Sequence, residues 1–167
     1  MTAPILVLTT GGTIDKAYFD ALSEYQITDS GIPGLLAEAR VAAPFRVVEL
    51  MRKDSLDLTE ADRLLIAAAA REAPETRVVI THGTDTMTDT ARVLADEVPG
   101  KVIVLTGALS PARFAETDAP FNMGMAFACA QVAAPGVWIA MSGAVFDGLK
   151  VRKDRAAGRF VATGSEG

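Results

Sequence analysis

Residues 4–14 read Pro-Ile-Leu-Val-Leu-Thr-Thr-Gly-Gly-Thr-Ile. The run Pro4 to Thr9 is apolar without alternation, and it breaks on two glycines. A short continuous apolar run that ends in small residues reads as a strand covered on both faces, followed by a tight turn. The pattern recurs. Phe45 to Met51 (FRVVELM), Arg77 to Thr81 (RVVIT), Lys101 to Thr106 (KVIVLT) and Gly136 to Met141 (GVWIAM) are further candidate strands.

The segments between them carry helical spacing. Ile32 to Val41 places Leu35, Leu36 and Ala39 at that spacing. Thr59 to Glu72 opens on a threonine suited to an N-cap and puts Leu64, Leu65, Ala68 and Ala69 on one face. Thr86 to Glu97 and Pro120 to Ala133 complete the set, Pro120 fitting a first helical turn. Strands alternating with helices imply βαβ crossovers. The expected fold is therefore α/β, an open and mostly parallel three-layer sheet with helices on both faces, in a single domain over 1–167. Residues 147–167 change character, being Gly-rich and charged, and read as a hairpin appendage with a frayed end.

Composition narrows the function. Sixteen basic against twenty-one acidic residues give a net charge of −5, with no basic run, so nucleic acid is a poor partner. The longest apolar stretch, Met123 to Ala134, is interrupted by Gln131 and too short to span a bilayer. No secretory leader pattern opens the chain, so a cytoplasmic setting is expected. The lone Cys129 lies in apolar helical pattern and reads as a buried small hydrophobe, and Met123 and Met125 read as core or interface packing.

Ligands of such sheets bind beyond the carboxyl ends of the strands. Thr10-Gly11-Gly12-Thr13, Asp54-Ser55, His82-Gly83-Thr84-Asp85 and Gly107-Ala108 each follow a candidate strand. G-x-S-x-G, S-x-x-K, H-E-x-x-H, a Walker loop and G-x-G-x-x-G are all missing. With one histidine, neither a metal nor a cofactor is expected. Hydroxyls remain, with Asp85 and Lys153 as possible activators. A threonine hydroxyl attacks once a base takes its proton, and a lysine can be that base where burial strips its own. Spacing alone does not join Lys153 to Thr84 and Asp85. His82, after a buried strand, reads as a hydrogen-bonded structural residue. Thr84 and Asp85 also suit the N-terminus of the 86–97 helix.

At these residues the chain resembles the bacterial-type L-asparaginases, the threonine amidohydrolases. Thr10-Gly11-Gly12-Thr13-Ile14 is similar to the family's first signature, and His82-Gly83-Thr84-Asp85-Thr86-Met87 to its second. Asp54 to Thr59, Thr106 to Ala108, Asp118 to Asn122, and Phe146-Asp147-Gly148 with Lys153 follow in family order. The resemblance implies hydrolysis of L-asparagine to aspartate and ammonia through an acyl-enzyme. It implies Thr13 as nucleophile, Tyr25 in a lid loop over it, and Thr84, Asp85 and Lys153 as a second catalytic set. Substrate would lie against Gly12, Asp54, Ser55, Gly83, Thr84, Asp85 and Ala108, with Ser55 on the α-carboxylate and Asp85 on the ammonium. It also implies a homo-oligomer. The family's C-terminal domain has no counterpart here, so a short single-domain form is expected. Leu56 stands where longer relatives often carry glutamine, and the segment from Asp15 to Ser30 departs from the usual lid pattern. A glutaminase, an ammonia-releasing amidotransferase subunit and a non-catalytic asparagine- or aspartate-binding domain are the alternatives.

Overall fold

A computed structural model describes residues 3–164. The central strand β1 (Ile5–Gly11) is buried along its whole length. It lies between β4 (Phe45–Lys53) and β5 (Arg77–Thr81), both parallel to it. Beyond β5 come β6 (Val102–Thr106), β7 (Gly136–Met141) and β8 (Ala144–Asp147), giving the order β4-β1-β5-β6-β7-β8. In this sheet only β8 runs antiparallel. This is the expected open, mostly parallel sheet.

Helices α1 (Ile32–Glu38) and α4 (Ala119–Val132) cover one face. Ile32, Leu36, Met123, Ala126 and Phe127 meet Ile5, Val7, Val79 and Val104 there. Helices α2 (Glu60–Glu72) and α3 (Met87–Glu97) cover the other. Ile66, Ala67, Ala70, Met87, Ala91 and Leu94 meet Leu6, Leu8, Val78, Ile80 and Ile103. Adjacent residues of each strand thus feed opposite cores, which is why the runs do not alternate in hydropathy. Cys129 and Met123 are core, and Met125 packs against it. Among the described residues no helix is long and apolar enough to cross a membrane.

Several expectations need correction. In α2 the buried residues are Arg63, Ile66, Ala67 and Ala70, while Leu64 and Leu65 are about half exposed. The alanine run makes every side of this helix weakly apolar, so the pattern does not single out the inward face. The N-cap expectation holds: Thr59 and Asp62 form a capping box. Helix α1 stops at Glu38, short of Val41. Arg40 takes φ 51°, and the N–H groups of Arg40 and Val41 return to Ala37 O and Leu36 O, a Schellman ending. Strand β4 is longer than expected and, as an edge strand, is nowhere fully buried, with Arg46, Glu49 and Arg52 exposed. The N-cap position of α3 falls on Thr86, not on Thr84 or Asp85, and its side chain makes no capping bond, the hydroxyl donating instead to Ser55 O at 2.7 Å.

Two segments expected as loop or appendage are ordered strands. The 18–28 segment is a β-hairpin, β2 (Lys16–Phe19) with β3 (Glu24–Ile27). Phe146 and Asp147 belong to the sheet as part of β8. The tail hairpin is present as β9 (Val151–Asp154) and β10 (Arg159–Ala162). The expected frayed end falls on 165–167, outside the described residues.

Candidate active site

The chain leaves β1 toward β4 on one side, and leaves β5 toward β6 on the other. Connections that diverge in this way open a crevice at the carboxyl ends of β1 and β5. The two threonine segments flank it. Thr13 opens a 3₁₀ turn (Thr13–Asp15) just past β1, and Thr84 follows β5.

The two segments touch through backbone. Gly12 has φ 84°, and a Cβ there would sit 2.5 Å from Gly83 N. A Cβ on Gly83 would sit 2.6 Å from Ser55 Cβ. Glycine at both positions lets the turns after β1, β4 and β5 stack without a side chain between them. Gly12, Gly83 and Ser55 are thereby brought together. Ser55 Oγ is buried, with no hydrogen-bond partner among the described residues.

His82 holds this stack from below. It is fully buried, with Nδ1 2.6 Å from Gly83 O and Nε2 2.7 Å from Thr90 Oγ1. A carbonyl can only accept, so Nδ1 carries the proton and Nε2 takes the Thr90 hydroxyl. Burial pushes its pKa from 6.5 down to about 4, against the opposing pull of the Gly83 carbonyl. The structural role expected of it holds. Between about pH 6.5 and 4 the unfolded chain binds a proton that folded His82 refuses. Stability should therefore fall as pH drops through that window, by roughly 3 kcal/mol at most, and lose nothing further on this account below it. Urea midpoints measured from pH 7 to 4 should show a shallower fall in His82→Gln than in wild type. Parallel slopes would sink the assignment.

Lys153 reaches the crevice from β9. Val151 and Phe160 are buried in the core of the α2/α3 face, pinning this hairpin to the body. In a strand, residues two apart share a face, so burying Val151 turns Lys153 inward and Arg152 outward. Lys153 Nζ donates to Thr84 Oγ1 at 2.8 Å and meets Asp85 Oδ1 at 2.9 Å. Arg155 lies 3.6 Å from the same oxygen. The set of Thr84, Asp85 and Lys153 is thus a bonded unit.

The other expected residues are more dispersed. Among the described residues no hydrogen bond joins Thr13 to Tyr25 or to the Thr84 set. Tyr25 is about half exposed on β3, its ring packed at a tilt between those of Tyr18 (centroids 5.1 Å apart) and Phe114 (5.9 Å). Asp54 pairs with Lys16 at 2.9 Å and accepts from Leu56 N–H at 3.2 Å. Partial burial works to raise its carboxyl, but the Lys16 ammonium and the Leu56 N–H outweigh it and hold it below its usual value. Ala108 is buried in the turn after β6. That turn is organised by Asp118, which accepts from Leu109 and Ser110 N–H at 3.0 Å, and by Asn122, which donates to Gly107 O at 2.9 Å.

Sequence reading missed Asp15 and Arg113. Asp15 is buried, and burial holds its carboxyl above the usual value despite bonds from Ser30 Oγ (2.9 Å) and Gly31 N–H (3.2 Å). Neither residue carries a local signal, since each gains its partners from a distant segment. A separate cleft of about 590 Å³, lined in part by Asp118, Phe121, Ser142 and Arg159, contains none of the expected site residues. Among the described residues no group of three or more His, Cys, Asp or Glu is placed to hold a metal ion.

Comparison with known proteins bears on the family and the fold. Residues 4–161 match the family model described as asparaginase, N-terminal. An L-asparaginase of Thermococcus kodakarensis is 32% identical over 163 residues, covering 92% of this chain and 48% of that protein. The solved structure of the thermostable L-asparaginase from that organism superposes with a TM-score of 0.83 at 30% identity, over 95% of this chain and 51% of that one. A glutaminase-asparaginase of Pseudomonas fluorescens is 30% identical over 90% of this chain and 45% of its own length. The chain therefore spans about half the length of the asparaginases it matches. A family model that covers residues 4–161, nearly all of the sequence, means that this chain belongs to the asparaginase family.

Proposed function

We propose that this chain hydrolyses the side-chain amide of L-asparagine, giving aspartate and ammonia. The observation that carries this reading is the bonded unit of Lys153, Thr84 and Asp85, stacked through Gly83 and Gly12 against the turn that bears Thr13. In this scheme Thr13 Oγ attacks the amide carbonyl. Its proton passes to the leaving nitrogen, which departs as ammonia and leaves an ester on Thr13. Thr84, held by Lys153 and Asp85, orients the water that cleaves the ester: the water oxygen bonds to the acyl carbon, the bond to Thr13 Oγ breaks, and the water proton passes by way of the Thr84 hydroxyl to Thr13 Oγ. Backbone N–H groups near Thr84 and Ala108 face the developing oxyanion. Asp85 takes the substrate ammonium, and the Asp54-Ser55 turn takes its α-carboxylate.

Ammonia release from L-asparagine and L-glutamine by the purified chain tests this reading. Turnover of asparagine, faster than of glutamine, is expected. Tight aspartate binding with no ammonia from either amide would replace it with the binding-domain alternative. We also infer that the chain self-associates. Val132 is 84% exposed on α4, with Trp138 and Val145 beside it in one apolar depression. Sedimentation velocity at micromolar concentration should show a dimer or larger, and a stable monomer would refute this.

A further inference from the structure

Residues 112–114, between β6 and α4, have no part in the scheme above, yet they grip the base of the β2–β3 hairpin. Ala112 N–H donates to Ile14 O at 3.0 Å. Arg113 Nη1 donates to Thr28 Oγ1 at 2.5 Å and lies 3.5 Å from Asp15 O. Arg113 Nη2 donates to Asp29 O at 2.8 Å and lies 3.4 Å from the Asp29 carboxylate. The Phe114 ring packs at a tilt against Tyr25. Residues 14–15 lead into the hairpin and 28–29 lead out, so both ends are held at once.

The hairpin needs such a hold. Two four-residue strands are not stable alone in water. A further tether, Lys16 to Asp54, is a partly exposed ion pair of small worth, and Ser30 N–H donates to Glu49 just beyond the hairpin at 3.1 Å. The loop that supplies Arg113 also carries Ala108, and Asp118 and Asn122 hold that loop from within.

We propose that Arg113 is a positioning residue whose guanidinium keeps the 16–27 hairpin in register with the 107–118 loop, and so fixes where Thr13, next to Ile14, and Tyr25, against Phe114, sit relative to that loop. A planar fork can reach a hydroxyl and carbonyls of three different residues together, which a compact ammonium cannot. The catalytic half of this inference rests on the amidase reading; the clamp itself does not.

Hydrogen exchange and kinetics on the same variants test it. In Arg113→Ala, amides of 16–19 and 24–28 should exchange at least about tenfold faster, the scale of one lost charge-assisted hydrogen bond, while β1, β5 and β6 stay protected. Asparagine turnover should lose at least about tenfold in kcat, with KM little changed, as the loss of alignment predicts. Millimolar guanidinium should restore much of that kcat and leave wild type unaffected. Arg113→Lys should sit between Arg113→Ala and wild type in both readouts. Unchanged hairpin exchange overturns the clamp. Faster exchange throughout the sheet, unchanged kcat, or no rescue by guanidinium overturns the positioning role. Wild type that releases no ammonia from any amide overturns the amidase reading instead, and hairpin exchange then decides the clamp alone.

Discussion

Thr13→Ala is expected to lower kcat for asparagine by at least about 10⁴-fold, the scale on which enzymes feel the loss of a covalent nucleophile. Fold and stability should survive. Thr13 is only half-buried at the start of a 3₁₀ turn, and among the described residues its hydroxyl makes no bond that holds the turn together. Removing one such hydroxyl should cost less than about 1 kcal/mol. The urea midpoint should therefore stay near wild type while activity vanishes. Mass spectrometry of wild type quenched during turnover should show the mass of an acyl group on the peptide that contains Thr13. A variant with near wild-type kcat would move the nucleophile elsewhere, and Thr84 would be the first place to look.

Lys153→Met should cost at least about 10²-fold in kcat, the usual range for lost acid–base assistance. Methionine keeps the length and apolar stem of lysine, so packing beside the pinned hairpin is largely preserved. Two contacts are lost, to Thr84 Oγ1 at 2.8 Å and to Asp85 Oδ1 at 2.9 Å. Thr84→Val should give a loss of similar size, and the double variant should be little worse than either single one, because the residues act as a unit. Additive losses would show that the lysine acts independently of the threonine. An unchanged Lys153→Met would mean that the bonded unit is structural only.

Thr13 and Lys153 differ in how far the sequence reaches them. Thr13 and Thr84 follow strands whose apolar runs and terminal glycines are visible locally, and residues just beyond strand ends are where such sheets bind ligands. Lys153 lies in the charged stretch 150–155, which taken alone reads as solvated surface, and only resemblance joins it to Thr84. The structure gives a physical reason for that contact: Val151 and Phe160 enter the core, and the two-residue period of the strand aims Lys153 at the crevice. Tyr25 shows the limit. Resemblance places it over Thr13, whereas here its ring packs at a tilt between Tyr18 and Phe114, and among the described residues it does not hydrogen-bond to Thr13.

Local sequence was enough for the alternation of strand and helix, the capped start of α2, the positions of the four strand-end turns, and the structural part played by His82. Each follows from residue period, turn chemistry or the desolvation of a single side chain, and these act over a few residues. The buried face of α2, the antiparallel edge strand β8, the hairpin at 16–27, and the partners of Asp15, Arg113 and Lys153 came only with the folded chain. Those contacts join residues 69 positions apart in the case of Lys153 and Thr84, and 85 in that of Arg113 and Thr28. Their energy comes from two distant segments meeting and excluding water, which nothing in either segment alone encodes.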